Sequence, residues 1–347
     1  MPVLPPCQQG ATLGECIDAT VAAFMAATPD LPGAMLSAQS SGATVYRQGY
    51  GVIETLGPVP TAENSFQIDS LTKAMTAFAV LRLYEQERIL SLGDTLDTYI
   101  PSLPNVHWGS IQIDQLLAMV SGIPDISSPT LTYREALAKV AMLPMKFQPP
   151  GAQYDYSNSN YFLLGELIDT LVGPSSNYMD YIRDEVLDVF GMPNTGLIDR
   201  ASAQDPAMPH LQGHPHEGWR DPVCGYSAGG FASTMEDLEA FAIGIANGQV
   251  LHEQTYRAMW TNYPLNGGGK GLFGYGWAVT TGADGRMRVQ KNGGGYGWSS
   301  AVVYTPADDY GPRPSPSASV CVMMNGTGNA NALVDDVLTK VIASGMS

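Results

Sequence analysis

The sequence predicts an α+β fold: an antiparallel sheet flanked by helices, built from both chain ends, with a mostly helical second domain inserted. Three observations predict it. Strand-like runs gather near both termini, the stretch between them is helical in pattern and broken by prolines, and 347 residues at 44% hydrophobic composition suffice for a sizeable core. The expected division is 1–90 with 200–347 for the sheet domain and 91–199 for the insertion, with the site in the cleft between them.

The N-terminal part reads as a helix over Leu13–Ala27, then a hairpin of strands Gly33–Ala38 and Thr44–Gly51 turning through Gln39–Ala43. A short strand-like run, Ser65–Ile68, precedes an uncharged apolar run, Ala74–Leu83, read as a buried helix ending near Leu90. Pro101, Pro104, Pro124, Pro129, Pro149 and Pro150 punctuate the insertion, leaving helices at Ile113–Val120, Tyr133–Ala141, Tyr161–Leu171 and Ser176–Phe190. Asp199–Asp221 is polar and reads as a long surface loop. Ser233 and Glu236 have capping-box spacing and open a helix to about Ala246. Strand-like runs follow at Gly274–Thr280, Arg286–Lys291, Trp298–Tyr304 and Ala318–Met324, then a last helix over Asn331–Ala343.

A net charge of −16 argues against nucleic acid or an anionic membrane as partner, since both demand basic surface. No apolar run is long enough to span a membrane. The first residues lack a basic and apolar leader pattern, and no compartment follows from that. The four cysteines form no C-x-x-C pair; Cys7 and Cys16 are close enough for either a disulfide staple or two free thiols. No cofactor or metal is expected, and oligomeric state is not legible.

The chemistry concentrates in three short segments. Ser70-Leu71-Thr72-Lys73 opens the apolar helix, with Lys73 one turn beyond Ser70 on the same face. A serine needs a base to become a nucleophile, and a lysine serves once burial or a second cation favours its free amine. Tyr156-Ser157-Asn158 follows the Pro149–Ala152 loop; cations nearby would activate the phenol, and the amide could bind a substrate carbonyl. Lys291-Asn292-Gly293-Gly294 ends a strand, where glycines permit close backbone approach.

These segments, in this order, resemble the S-x-x-K, Y-x-N and K-T-G-like motifs of the serine β-lactamase and penicillin-binding protein superfamily. The closer likeness is to its class C branch, with its D,D-peptidases, D-amino-acid amidases and esterases. Leu116–Asp125, Pro150–Gly165, Gly229–Leu238 and Gly293–Ser300 are similar too. The resemblance implies Ser70 as acylated nucleophile, with Lys73 and Tyr156 sharing proton transfer; the sequence does not choose the formal base between them. It implies that Asn158 holds the acyl side of the substrate, and that Lys291 supports Tyr156 or binds a carboxylate. The N–H groups of Ser70 and Gly294 would form the oxyanion hole. Asn292 stands where the family has threonine, which argues against efficient β-lactam hydrolysis. A small ester, amide or short peptide is the expected substrate, with ester hydrolysis foremost. Peptidase or amidase action, acyl transfer, weak β-lactamase action and a penicillin-binding sensor without turnover are the alternatives.

Three further patterns compete. Gly225-Tyr226-Ser227-Ala228-Gly229 spells G-x-S-x-G, but lacks the preceding core strand and the late histidine that an α/β-hydrolase needs, so Ser227 is expected to shape a loop. His210, His214 and His216, with Glu217, have no metal-site spacing and read as a solvated loop. Asn325-Gly326-Thr327 is a formal glycosylation acceptor at a strand end.

Overall fold

A computed structural model describes residues 4–54, 56–126, 130–197, 207–208, 210–211, 214–215, 222–307 and 317–345. The α+β expectation holds. Six antiparallel strands form the main sheet: β1 (Gly33–Ser40), β2 (Ala43–Gly51), β3 (Ala278–Thr281), β4 (Met287–Gly295), β5 (Trp298–Thr305) and β6 (Ala318–Met324), in the spatial order β2-β1-β6-β5-β4-β3. The chain ends therefore meet at the centre, where β1 pairs with β6 from Ala34–Met324 to Ser40–Ala318. The β1–β2 hairpin turns through Ser41 and Gly42 alone, both at positive φ (53° and 79°), a conformation that matches the twist of the strands.

Period-two alternation assigns the two faces of the sheet. Val320, Val322 and Met324 of β6 face helix α1 (Leu13–Ala26) and the C-terminal helix, and Cys321 and Met323 face the opposite way. Thr12 and Glu15 close a capping box at the start of α1, and Cys7 is disulfide-bonded to Cys16 in its first turn. On the other face, helix α2 (Thr72–Glu85) runs through the larger hydrophobic cluster, buried from Thr72 to Leu81 without interruption. That matches its lack of a polar face. It ends five residues before the expected Leu90, and Glu87 turns out at φ 58°. Helix α3 (Asn158–Val172) packs beside α2 and starts three residues earlier than its apolar pattern suggests.

Helix α4 (Met235–Ala246) is capped by Thr234, whose hydroxyl accepts from the Asp237 N–H, and not by Ser233 as the S-x-x-E spacing implied. Ser233 lies in the short strand Phe231–Ser233 and shares its hydroxyl with Thr195. The cap thus lies one residue beyond the expected one, on the second of two adjacent hydroxyl residues. The C-terminal helix α5 (Ala330–Ser344) matches its expected span. Asn325 is fully buried and donates to the carbonyls of Val52 and Ile53, so it is a structural tie and no sugar can reach it. No helix of the described residues is long and apolar enough to cross a membrane.

Candidate active site

Ser70 sits in a 3₁₀ turn, Asp69–Leu71, that leads directly into α2. Asp69 just before it has φ 44°, a left-handed conformation costly for a residue with a side chain and frequent where geometry is dictated by function. The hydroxyl of Thr72 bonds back to the Asp69 carbonyl at 2.7 Å and accepts from the Phe231 N–H at 3.2 Å, pinning the turn.

Lys73, one turn on, is completely buried. Its Nζ donates to Ser70 Oγ at 3.0 Å, to Asn158 Oδ1 at 2.7 Å and to the Ala228 carbonyl. An ammonium has three donors, and three acceptors meet them. Tyr156 approaches Ser70 from the other side, its hydroxyl 2.9 Å from Oγ. The rings of Tyr156 and Tyr161 lie 5.1 and 5.8 Å from Lys73 Nζ. Ser70, Lys73, Tyr156 and Asn158, spread over 89 residues of sequence, thus converge on one oxygen and one nitrogen.

The third segment is brought in by the sheet. Strand β4 rests against the 69–71 turn, and this needs Gly293: a Cβ there would stand 1.9 Å from the Ile68 carbonyl oxygen. Ser300, the neighbour of Gly293 on β5, bonds to that same carbonyl at 3.0 Å. Strand β3 pairs with β4 only between residues 287 and 290, so among the described residues the edge from Lys291 to Gly295 has no neighbouring strand on that side. Lys291 is 3% exposed, with its Nζ 5.3 Å from the Tyr156 ring and 5.4 Å from that of Phe273. Burial drives its pKa down to about 8, against the pull of Tyr156, and the charge of Lys73 lowers it further. Asn292 and Gly294 point the other way and are exposed.

Two contributors escaped the sequence. Ala228 supplies a main-chain carbonyl, which leaves no side-chain signature; it lies inside the G-x-S-x-G segment. Ser227 of that segment is fully buried and donates to the Tyr161 carbonyl at 2.9 Å, so it has no access to substrate; the segment, expected as a loop, is instead helical over Pro222–Gly229 with a kink at Tyr226. Asp125 is the other: it accepts from the Asn158 N–H at 2.8 Å and from Asn158 Nδ2 at 3.2 Å. The early start of α3 follows, because this carboxylate satisfies the first N–H of the helix. His210 is buried, its Nδ1 2.8 Å from the Met208 carbonyl; His216 and Glu217 lie outside the described residues. Among the described residues no cluster of three or more His, Cys, Asp or Glu could hold a metal.

The β-lactamase family model matches residues 17–343. The chain belongs to the β-lactamase family. Members of this family are serine hydrolases, among them amidases and carboxypeptidases. Over 177 residues the chain is 33% identical to protein Flp of Staphylococcus aureus (strain MW2), covering 48% of this chain and 34% of Flp. Over 301 residues it is 24% identical to penicillin-binding protein 4* of Bacillus subtilis (strain 168), covering 78% and 64%. It therefore spans about a third of Flp and under two thirds of the Bacillus protein. Among solved structures, the octameric penicillin-binding protein homologue of Pyrococcus abyssi superposes with a TM-score of 0.79 at 22% identity, over 94% of this chain and 77% of that one. The D-amino acid amidase of Ochrobactrum anthropi SV3 gives 0.75 at 20%, over 93% and 96%. At such identities these likenesses establish the fold.

Proposed function

We propose that this β-lactamase family member hydrolyses small esters or amides through an acyl intermediate on Ser70, with neutral carboxylic esters as its best substrates. The observation that carries the reading is the double approach to Ser70 Oγ, by Lys73 at 3.0 Å and Tyr156 at 2.9 Å. Ser70 Oγ attacks the substrate carbonyl carbon, its proton passes to the Lys73–Tyr156 pair, and the N–H groups of Ser70 and Gly294 receive the oxyanion. The pair then protonates the leaving alcohol or amine. In the second half it takes a proton from water, which attacks the acyl carbon and releases Ser70. Asn158 contributes its amide to the acyl side, and Asn292 stands at the exposed rim of β4.

Lys291 favours the neutral substrate. It is enclosed by two rings and so is a poor receptor for a carboxylate arriving from solvent. The likeness to the D-amino acid amidase of Ochrobactrum anthropi supports a second reading, hydrolysis of D-amino-acid amides or short peptides at the same site. We read residues 91–199 as a helical unit set into a sheet unit, with the site between the two.

The test is a panel of p-nitrophenyl acetate and butyrate, D-amino-acid amides and a chromogenic cephalosporin, with wild type and Ser70→Ala. Rapid ester turnover that Ser70→Ala abolishes is expected. Stoichiometric acylation without turnover would mark a sensor, and turnover surviving in Ser70→Ala would overturn the assignment.

A further inference from the structure

The side-chain amide of Asn158 is held at both ends. Its Oδ1 accepts from Lys73 Nζ at 2.7 Å, and its Nδ2 donates to Asp125 Oδ2 at 3.2 Å. Asp125 Oδ1 takes the backbone N–H of the same residue at 2.8 Å. An ionised carboxylate only accepts hydrogen bonds, so it selects the NH₂ end of the amide and leaves the carbonyl end for Lys73. The carboxylate is itself well anchored. The preceding Pro124 carbonyl receives the hydroxyls of Ser157 at 3.2 Å and Ser159 at 2.9 Å, fastening the Pro124–Asp125 step to the first turn of α3.

We propose that Asp125 is a positioning residue for the acyl-transfer centre, fixing the polarity of the Asn158 amide so that its carbonyl oxygen, and not its NH₂ group, meets Lys73. The inference rests on the reading of Ser70 and Lys73 given above. The links Asp125–Asn158, Asn158–Lys73 and Lys73–Ser70 each measure between 2.7 and 3.2 Å. A reversed amide would set Nδ2 against Nζ, two donors face to face, an arrangement open only to the free amine of Lys73. The imposed polarity therefore favours the protonated lysine. Of the other groups around Nζ, the Ala228 carbonyl and the rings of Tyr156 and Tyr161 act in the same direction, and Lys291 on β4 acts against it.

Asp125→Asn tests this. The variant keeps the size of the side chain and an acceptor for the Asn158 N–H, but its own NH₂ faces Asn158 Nδ2 and drives the amide to reverse. The expected result is a fall of about tenfold or more in kcat/KM for p-nitrophenyl butyrate, on the scale of a lost proton-transfer arrangement. The acid limb of the pH–rate profile should move to lower pH, because Lys73 then gives up its proton more readily. Combining Asp125→Asn with Asn158→Asp restores the original polarity, since the new amide donates to the new carboxylate and a carboxylate oxygen faces Lys73. That variant should return the acid limb to the wild-type position or above it, and it carries the test should Asp125→Asn fail to fold. A lower melting temperature with the acid limb unmoved would reduce Asp125 to a helix cap and overturn the proposal. So would an unchanged profile and rate. Ser70→Ala measured alongside separates the failures: if it is inactive while Asp125→Asn behaves as wild type, only the Asp125 proposal falls; if it is active, both fall.

Discussion

Lys291 lies against the ring of Tyr156, 5.3 Å from Nζ to the centroid, and Phe273 closes the other side at 5.4 Å. A buried cation next to a phenol acts on the phenol first. Lys291→Met should lower kcat by about 100-fold on neutral and acidic substrates alike, the scale of a lost electrostatic contact in a dry site, with little change in KM. A KM increase confined to acidic substrates would instead assign Lys291 to a carboxylate. Stability gives an independent reading. The folded-state pKa of about 8 lies below the ordinary 10.5, so between those values the unfolded chain binds more protons and stability rises with pH. Lys291→Met removes that dependence. It should melt above wild type at pH 7, with the gap closing between pH 8 and 10.5.

Two adjacent glycines on β4 should behave differently. An alanine at Gly293 would meet the Ile68 carbonyl at 1.9 Å, whereas at Gly294 the nearest atom, the Trp298 carbonyl oxygen, is 3.4 Å away. Gly293→Ala must therefore push β4 off the Ser70 turn. It should cost about 1–3 kcal/mol of stability, as overpacking does. Turnover should drop by at least about 100-fold, since a displacement near 1 Å has that effect. Gly294→Ala should keep the wild-type melting temperature. Thermal melts and ester kinetics on the pair decide whether β4 is held by Gly293 alone.

What could be read from the sequence was whatever side chains announce. Ser70, Lys73, Tyr156 and Lys291 sit in short segments whose residue types are chemically unusual, and the structure brings all four together. The apolar runs gave α2 and the central strands because burial on both faces requires them. The Ala228 carbonyl could not be seen, since any residue offers a carbonyl and its aim is set by a kinked helical segment 155 residues away from Lys73. Asp125 closes the family-like stretch Leu116–Asp125, but local sequence assigns it no role, as its partner is 33 residues on. Thr234 displaced Ser233 as cap because Ser233 is drawn into a strand, a tertiary pull that local spacing does not record. The short helix Glu253–Met259 escaped for want of length.

The G-x-S-x-G segment offers a control. Ser227 donates to the Tyr161 carbonyl and its own carbonyl accepts from Thr76 at 2.7 Å, while Tyr226 before it is held at φ 38° by stacking on Tyr133, 4.2 Å between centroids. Ser227→Ala removes one buried hydrogen bond and should cost about 1 kcal/mol. Ester turnover should stay within a few-fold of wild type, because the carbonyls of residues 227 and 228 remain in place. Loss of activity on the scale of Ser70→Ala would contradict the site described above.

Tyr156→Phe discriminates between the two halves of the reaction. The substitution deletes the hydroxyl 2.9 Å from Ser70 Oγ and leaves Lys73 with all three of its acceptors. The fraction of Lys73 in its free-amine form can still take the serine proton, so acylation should continue at a reduced rate. Water activation would have lost its phenol, and general-base loss of this kind slows a step by about 10²–10⁴-fold. Deacylation should therefore become limiting: a burst of p-nitrophenol equal to the enzyme concentration, then near arrest, with the acyl mass found on the Ser70 peptide by mass spectrometry. If Tyr156→Phe slows turnover with no burst and no adduct, the phenol serves acylation and Lys73 activates the water.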